Sequence, residues 1–381
     1  MRGYHPPMQV YRRGDQGPAV AEIRDRLGRM GLLGGAERED VYDESTDTAV
    51  RAFQQSRGLR VDGVVGPDTY QRLDEAHWRL GDRLLSFTAG HLYVGDDVAA
   101  LQQRLLDMGF DPGRCDGIFG RETETALREF QRNVGLQADG TVGPKTLKAL
   151  DRLRRTVTGG SLSERREEER LYRGGGALSG RVVVLDPGHG GDELGAVAWE
   201  LSESEVAYDI ATRIEGRLGP LGVATLMTRG PDACPDDEAR ARLANETGAD
   251  LFVSLHVDAV TSPAPSGVAT YFYGVSADGR SVRSAVGERL ADLVQRELVA
   301  RTDLVDCRTH PKGWQLLRLT RMPAIRVDVG YLTNEGDASR LRSPEFRDTV
   351  AEAVVAAVQR LHLPEERDIP TGQFRMPALT G

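Results

Sequence analysis

Two histidines and one glutamate stand where the sequence could build a catalytic metal site. His189 follows the apolar run VVVL in the segment LDPGHGG, and His256 follows the run LFVS in SLHVD. Glu203 opens a predicted helix in SESE, which fits the capping box S-x-x-E, with Ser202 as the cap and Glu205 bonding back to it. Two imidazoles and one carboxylate suit Zn²⁺ and leave a fourth position open for water. The pattern therefore predicts a catalytic rather than a structural zinc site.

A layered domain must position these side chains, and from Arg181 onward apolar strands alternate with amphipathic helices. This alternation predicts an α/β domain over residues 181–362 with a parallel or mixed sheet, whose functional residues lie at the carboxyl ends of the strands. The predicted strands are Val182–Leu185, Val223–Met227, Leu251–Leu255, Val268–Tyr273 and Ala324–Val329. The predicted helices are Glu203–Leu218, Asp237–Thr247, Val282–Ala300 and Pro344–Leu361.

An internal repeat occupies the N-terminal half of the chain. Residues 53–73 and 130–150 are identical at 11 of 21 aligned positions, and the similarity extends upstream into a preceding helical pattern. Helical spacing followed by Gly, Asp-Gly and Gly-Pro turns predicts three short helices in each copy. The two copies are therefore predicted to form small three-helix bundles over 11–76 and 92–153.

The segments outside these three domains are polar. Residues 154–180 have glycine clusters around a charged run, which predicts a linker with one or two exposed helical turns. A modification or docking segment is the alternative. Residues 363–381 are a C-terminal tail.

Composition restricts the class of protein and its partners. The chain has 381 residues, 39% of them hydrophobic and 28% charged, which is typical of a soluble globular protein. Its net charge of −9 argues against nucleic acid as a partner, and no apolar run is long enough for a membrane span. Three cysteines without CxxC spacing argue against a disulfide framework. The N-terminus lacks the apolar stretch of a signal peptide, so the expected location is cytoplasmic as written, or the cell wall if an export signal is missing.

The repeats resemble the peptidoglycan-binding module of bacterial wall hydrolases. The second copy carries DGIFG at 116–120, Thr123, Phe130-Gln131 and Asp139-Gly140 in the order of that module. In the first copy EDVYD at 39–43 replaces the DG.fG turn. The resemblance implies that peptidoglycan is a partner of at least one copy.

The C-terminal domain resembles the zinc-dependent N-acetylmuramoyl-L-alanine amidase family. The segments LDPGHGG, E..VA..IA, TR..D, GADLFVSLH and MPAIRVDVGYLTN occur in the order of the family. The resemblance implies hydrolysis of the amide between the lactyl group of muramic acid and L-alanine, with His189, Glu203 and His256 as the zinc ligands.

The same resemblance implies that Asp328 is the general base. The family has a glutamate in a stretch like PAVLVExGF, and Asp328 stands at that position in PAIRVDVGY. Strand alternation predicts that Asp328 lies on the site side of its strand. Because aspartate is one methylene shorter than the glutamate of the family, its carboxylate is expected to lie beyond hydrogen-bond reach of the attacking water. Arg326, where the family has an apolar residue, is expected to lie only diagonally from Asp328.

Two functions from different classes fit these observations. The first is a zinc-dependent amidase that acts on peptidoglycan or its fragments. The second is a weakly active or inactive amidase-like cytoplasmic protein that regulates cell-wall synthesis. Its partners would be muropeptides, lipid-linked precursors or cell-wall synthesis enzymes.

Overall fold

The computed structural model describes residues 10–34, 40–57, 59–153, 167, 171, 178–277 and 280–363. The chain divides into two compact units: residues 1–165 with 274–282, and residues 166–273 with 283–381. Most of the predicted linker at 154–180, and all of the tail beyond 363, lie outside the described residues.

Each sequence repeat folds into three short helices, as predicted. The first repeat contains α1 (Pro18–Arg29), α2 (Glu44–Ser56) and α3 (Pro67–Ala76), and the second contains α4 (Asp96–Asp107), α5 (Arg121–Asn133) and α6 (Pro144–Leu153). Each repeat has a buried apolar core of its own, because the apolar residues of its helices recur at spacings of three and four.

A buried glutamine ties the first helix of the second repeat to the turn that follows. Gln102 on α4 donates from Nε2 to Asp116 Oδ1 (2.9 Å), the Ile118 carbonyl (3.0 Å) and Thr123 Oγ1 (3.1 Å). Its Oε1 accepts from the backbone N–H of Gly117 at 2.8 Å. Four hydrogen bonds thus satisfy a side chain that is 1% exposed.

Two further glutamines make the same set of hydrogen bonds, and at one equivalent position an arginine stands in place of the glutamine. Gln54 on α2 and Gln131 on α5 each bond an aspartate, a carbonyl, a threonine hydroxyl and a glycine N–H. Arg24 takes the place of Gln102 in the first repeat, and its Nη1 donates to the Val41 carbonyl, Asp43 Oδ1 and Thr46 Oγ1. These bonds from Arg24 tie α1 to the EDVYD segment, so the first repeat is held together without the DG.fG turn.

The predicted α/β domain is built on one mixed sheet of seven strands. The strand order is β4-β1-β5-β9-β6-β7, with β8 paired to β6; β1 is parallel to β4 and β5, β5 to β9 and β6 to β8, whereas β6 and β9 are antiparallel. The strands of this sheet are β1 (Val182–Pro187), β4 (Ala224–Met227), β5 (Leu251–Asp258), β6 (Val268–Ala277), β7 (Arg280–Arg283), β8 (Asp306–Lys312) and β9 (Ala324–Tyr331). The short strands β2 (Val197–Ala198) and β3 (Leu201–Ser202) form a separate hairpin.

Helices cover both faces of this sheet. Its helices are α7 (Glu203–Leu218), α8 (Asp237–Glu246), α9 (Ala285–Arg301), α10 (Gln315–Leu319), α11 (Glu335–Arg342) and α12 (Pro344–Leu361), with a short 3-10 helix at Gly219–Leu221. The helices α7, α9 and α12 share one apolar cluster with Leu185, Leu255 and Val327. Asp186 points to the opposite face, where Arg240 of α8 pairs with it. The predicted layered α/β domain is confirmed.

Candidate metal centre

The structure brings His189, Glu203 and His256 together at one end of the sheet. His189 Nε2 lies 3.2 Å from Glu203 Oε2, and His256 Nδ1 lies 2.7 Å from Glu203 Oε1. One potential ligand atom of each residue lies within 4.8 Å of the others. The ring centroids of the two histidines are 5.4 Å apart, well inside the separation of about 8 Å that would prevent a shared ion.

His189 occupies a constrained position directly after β1. Its φ of 54° lies in the left-handed region, which non-glycine residues adopt rarely and mainly where surrounding contacts enforce it. Arg240 donates to the His189 carbonyl at 2.9 Å, and Glu193 Oε1 lies 3.0 Å from Nδ1. Carboxylate contact at Nδ1 leaves Nε2 as the atom directed at Glu203.

Glu203 begins α7, and the cap that precedes it differs in part from the predicted capping box. Ser202 Oγ accepts from the backbone N–H of Glu205 at 3.4 Å, as predicted. The Glu205 side chain is exposed and makes no reciprocal bond within the described part of the chain, so that half of the prediction is wrong. The physical reason is that Ser202 already pairs with Val197 in the β2–β3 hairpin, while loop carbonyls serve the first helical N–H groups, with Glu203 N donating to the Ala196 carbonyl at 2.8 Å. In return Ala196 N donates to Glu203 Oε2 at 3.0 Å.

Two glycines create the space in which these side chains meet. A Cβ at Gly188 would lie 2.2–2.6 Å from the ring of His256. A Cβ at Gly195, whose φ is +67°, would lie 2.6 Å from both Glu203 Oε2 and His189 Cδ2. Real Cβ atoms do not approach this closely, so glycine is required at both positions for the cradle to exist.

The local electrostatics suit a bound cation. Burial alone would raise the pKa of Glu203, but hydrogen bonds with His189 and His256 outweigh it and hold that pKa well below its usual range. Burial, together with the nearby charge of Arg326, lowers the pKa of His256. The hydrogen bond to Glu203 raises the pKa of His189. An ionised carboxylate beside a neutral imidazole is the protonation state in which these groups donate electron pairs to a metal.

Two buried arginines support the loop after β1, and the sequence did not indicate either of them as a site residue. Arg240 donates to Asp186 Oδ1 at 2.7 Å and to the Pro187 carbonyl at 2.9 Å. Arg229 donates to the carbonyls of Pro187 (2.8 Å) and Gly188 (2.9 Å). The TR..D segment contained the signal for Arg229, but its role as a backbone anchor depends on tertiary contacts.

Asp328 lies on β9 directly across from His256 in the strand register, with 4% of its surface exposed. It points to the site side of the sheet, because Ile325, Val327 and Val329 fill the apolar cluster on the other face. It is not part of the group of ligand atoms within 4.8 Å.

Arg326 lies closer to Asp328 than the diagonal position that was expected from the sequence. Its Nε donates to Asp328 Oδ1 at 2.6 Å, and its guanidinium stacks 4.8 Å above the ring centre of Trp314. Residues two apart on a strand share a face, and the long arginine side chain folds back along it to form a direct ion pair.

Fold and site together define an α/β domain with a His-Glu-His group able to hold a metal ion, in a chain that also has two small helical repeats. The sequence pattern of the family described as N-acetylmuramoyl-L-alanine amidase matches residues 183–360, and that of the putative peptidoglycan binding domain matches 16–73 and 94–150. The chain belongs to the N-acetylmuramoyl-L-alanine amidase family, whose members are hydrolases.

The similar proteins include one that matches almost end to end. The N-acetylmuramoyl-L-alanine amidase CwlM of Mycobacterium tuberculosis is 46% identical over 379 residues, covering 96% of this chain and 93% of that protein. The germination-specific N-acetylmuramoyl-L-alanine amidase of Bacillus subtilis is 30% identical over 51% of this chain and 84% of its own length. The solved structure of the amidase AmiC2 of Nostoc punctiforme is 32% identical, covers 47% of this chain and 96% of its own, and superposes with a TM-score of 0.43.

The described ranges contain no helix that is long and apolar enough to cross a membrane.

Proposed function

We propose that the chain hydrolyses the amide between the lactyl group of N-acetylmuramic acid and L-alanine, in peptidoglycan or its fragments, with zinc held by His189, Glu203 and His256. The convergence of these three side chains within 4.8 Å carries the proposal. Two nitrogen donors and one oxygen donor fit zinc and leave room for water. When bound, zinc supplies an acidified water and a polarised carbonyl.

The protein groups around this site have separate tasks. Glu193 holds the His189 ring through Nδ1, and Ala196 N holds one carboxylate oxygen of Glu203. Asp328 is the proposed general base: it takes a proton as water attacks the amide carbon. It then gives the proton to the amine of L-alanine as the C–N bond breaks.

The division of the chain is part of the proposal. Residues 11–76 and 92–153 are assigned as peptidoglycan-binding modules and residues 181–362 as the amidase domain. The matches of the peptidoglycan-binding pattern at 16–73 and 94–150 support the first two assignments. The two modules would hold the polymer or its fragments.

The Arg326–Asp328 ion pair favours a second candidate function. One oxygen of Asp328 is already engaged by a 2.6 Å hydrogen bond from the guanidinium, which competes with the attacking water for that carboxylate. In that case the chain would bind muropeptides or lipid-linked precursors in the cytoplasm, with little hydrolysis, and would act on cell-wall synthesis enzymes.

The experiment measures zinc and hydrolysis on the same preparations. Wild type, His189→Ala and the control His91→Ala, which removes an exposed histidine directly before the second repeat, are analysed for bound zinc and for cleavage of a muramoyl tripeptide. About one zinc per chain and cleavage are expected in wild type and the control, and neither in His189→Ala. Wild type without zinc would refute the proposed site. Zinc and peptide binding without cleavage would favour the second candidate.

A further inference from the structure

A group of aromatic and cationic side chains lies beside the candidate metal centre on the same face of the sheet. In the strand register Tyr271 lies across from Arg326, as Asp328 lies across from His256. The Tyr271 and Trp314 rings are 4.6 Å apart, and Lys312 Nζ lies 5.9 Å and 5.6 Å from their centres. These contacts form a continuous wall that leads from His256 across two strands.

The cations of this wall exceed its anions. Within the described part of the chain, Lys312 makes no ion pair, and this half-buried residue places its ammonium group near the two rings. Burial lowers the pKa of Lys312. Arg326 uses only its Nε on Asp328, and its Nη groups contact no acceptor among the described residues although 27% of the side chain is exposed. Both cations are therefore partly exposed to solvent, and the carboxylate that Arg326 pairs with is the buried Asp328.

We propose that Lys312 and Arg326, backed by Tyr271 and Trp314, form a subsite for a carboxylate of the stem peptide beyond L-alanine. The inference rests on the proposed function and names the substrate group that the site recognises. A guanidinium with both Nη groups free presents a fork that matches a carboxylate, and an adjacent ammonium adds a point charge.

The position of the wall fits such a substrate. Arg326 on β9 lies one strand spacing from His256 on β5, and Lys312 on β8 lies three, which amounts to roughly 5–15 Å. An extended peptide advances roughly 3.3–3.6 Å for each residue, so a carboxylate on the second or third stem residue reaches the wall when the amide lies at the metal centre. The two neighbouring rings give the peptide an apolar surface to lie on.

The test uses a peptide that the enzyme does not cleave. Binding of L-alanyl-D-glutamate and of its diamide, in which both carboxylates are amidated, is measured by calorimetry on the zinc-loaded full chain. Hydrogen bonds to charged groups contribute enough that wild type is expected to bind the dicarboxylate at least about tenfold more tightly. Lys312→Met and Arg326→Met should each reduce that ratio to within about threefold, whereas Lys312→Arg should keep it.

Arg242→Met is the matched control, since Arg242 is an exposed cation on α8 that pairs with no group in the described ranges. It should leave the ratio at the wild-type value. Equal affinities of wild type for the two peptides, or an unchanged ratio in folded Lys312→Met, would overturn the subsite. The cleavage assay separates the two proposals: a carboxylate preference without cleavage would refute only the amidase function, and cleavage without a preference would refute only the subsite.

Discussion

Removal of the guanidinium at Arg326 should release the proposed general base. The ion pair joins Arg326 Nε to Asp328 Oδ1 at 2.6 Å, and the Asp328 side chain is only 6% exposed, so the bond is poorly screened by water. A hydrogen bond between charged groups contributes about 1.5–3 kcal/mol. Each 1.4 kcal/mol corresponds to a factor of about ten. Arg326→Leu is therefore expected to raise kcat about 10- to 100-fold, which does not exceed the roughly 10²–10⁴-fold that general-base catalysis contributes in total.

The same substitution should have two further effects of opposite sign. KM should rise, because the proposed carboxylate subsite loses the guanidinium of Arg326. The free energy of unfolding should fall by about 3 kcal/mol, because Asp328 remains buried without its partner. Steady-state cleavage of a muramoyl tripeptide in saturating zinc separates kcat from KM, and thermal unfolding measures the stability.

Two controls make the result specific. Arg242→Leu removes an exposed arginine from α8 and should change neither kcat nor KM. The double variant Arg326→Leu/Asp328→Asn should lose the gain, because the gain requires the carboxylate. A folded, zinc-loaded Arg326→Leu with kcat at or below wild type would show that the ion pair does not restrain Asp328.

Three further predictions follow from other contacts. Asp328→Glu should raise turnover of the muramoyl tripeptide in saturating zinc, because the extra methylene extends the carboxylate towards the metal centre; slower turnover would mean that the shorter base is the adapted one. Gln102→Leu should lower the free energy of unfolding of the second repeat by about 3 kcal/mol, since four buried hydrogen bonds are lost. Denaturant unfolding measures this loss against the control Gln103→Leu, which changes a half-buried residue of the same helix, and equal midpoints of the two variants would contradict it. Burial would raise the pKa of Asp186, but Arg240, Ser254 and Thr228 outweigh it and lower the pKa, so the stabilisation is present above about pH 4 and is lost on further acidification. Asp186→Asn should accordingly be less stable at pH 7 and show a flatter decline in Tm below pH 4, and parallel curves for wild type and variant would refute this.

The sequence was informative wherever one local pattern decides the structure. The helix α7 begins and ends at the predicted residues Glu203 and Leu218, because an apolar stripe and an N-terminal serine both mark it. The strands β1, β5 and β9 were found from their apolar runs, although β5 extends three residues further than predicted, to Asp258. Parallel buried strands are nearly continuous in apolar residues, which makes them visible but leaves their ends poorly marked.

Several elements of the α/β domain lack such a pattern and were missed, among them β8 and the β2–β3 hairpin. The strand β8 has the sequence DCRTHPK, which contains a proline and has no apolar alternation, and it forms by pairing with β6. The β2–β3 hairpin turns at Trp199 and Glu200. Both residues have positive φ, a conformation in which asparagine or glycine is usual at the tip of a hairpin. Tertiary pairing decides both elements.

In the candidate site, too, some features could be predicted from the sequence and others could not. His189, Glu203 and His256 could be selected from their place in the chain, because strand ends and a helix start predict where such side chains gather. The ion pair between Arg326 and Asp328 could not be selected, since a shared strand face allows the contact but the rotamers decide it. The role of all four candidate residues stays a prediction until zinc binding and cleavage are measured.

A final prediction concerns Gly188, the glycine directly before His189. An added methyl group at Gly188 would lie 2.2 Å from His256 Cε1 and 2.4 Å from Nδ1, the nitrogen directed at Glu203. The ring cannot remain in place at that distance, because packed carbon atoms require about 3.5–4.0 Å. Gly188→Ala is therefore expected to displace His256 and to weaken zinc binding at least about tenfold, the lower end of the loss that accompanies misplaced ligand support.

Gly216→Ala provides the matched control in the same unit. A Cβ at Gly216 meets no atom within 4 Å, and the residue lies inside α7, so alanine there should raise stability by about 0.5–1 kcal/mol and leave zinc affinity unchanged. Zinc affinity is measured by competition with a chelator, and circular dichroism establishes that both variants are folded. Wild-type zinc affinity in folded Gly188→Ala would contradict the assignment of His256 as a ligand, because a displaced imidazole could not hold the ion in its original geometry.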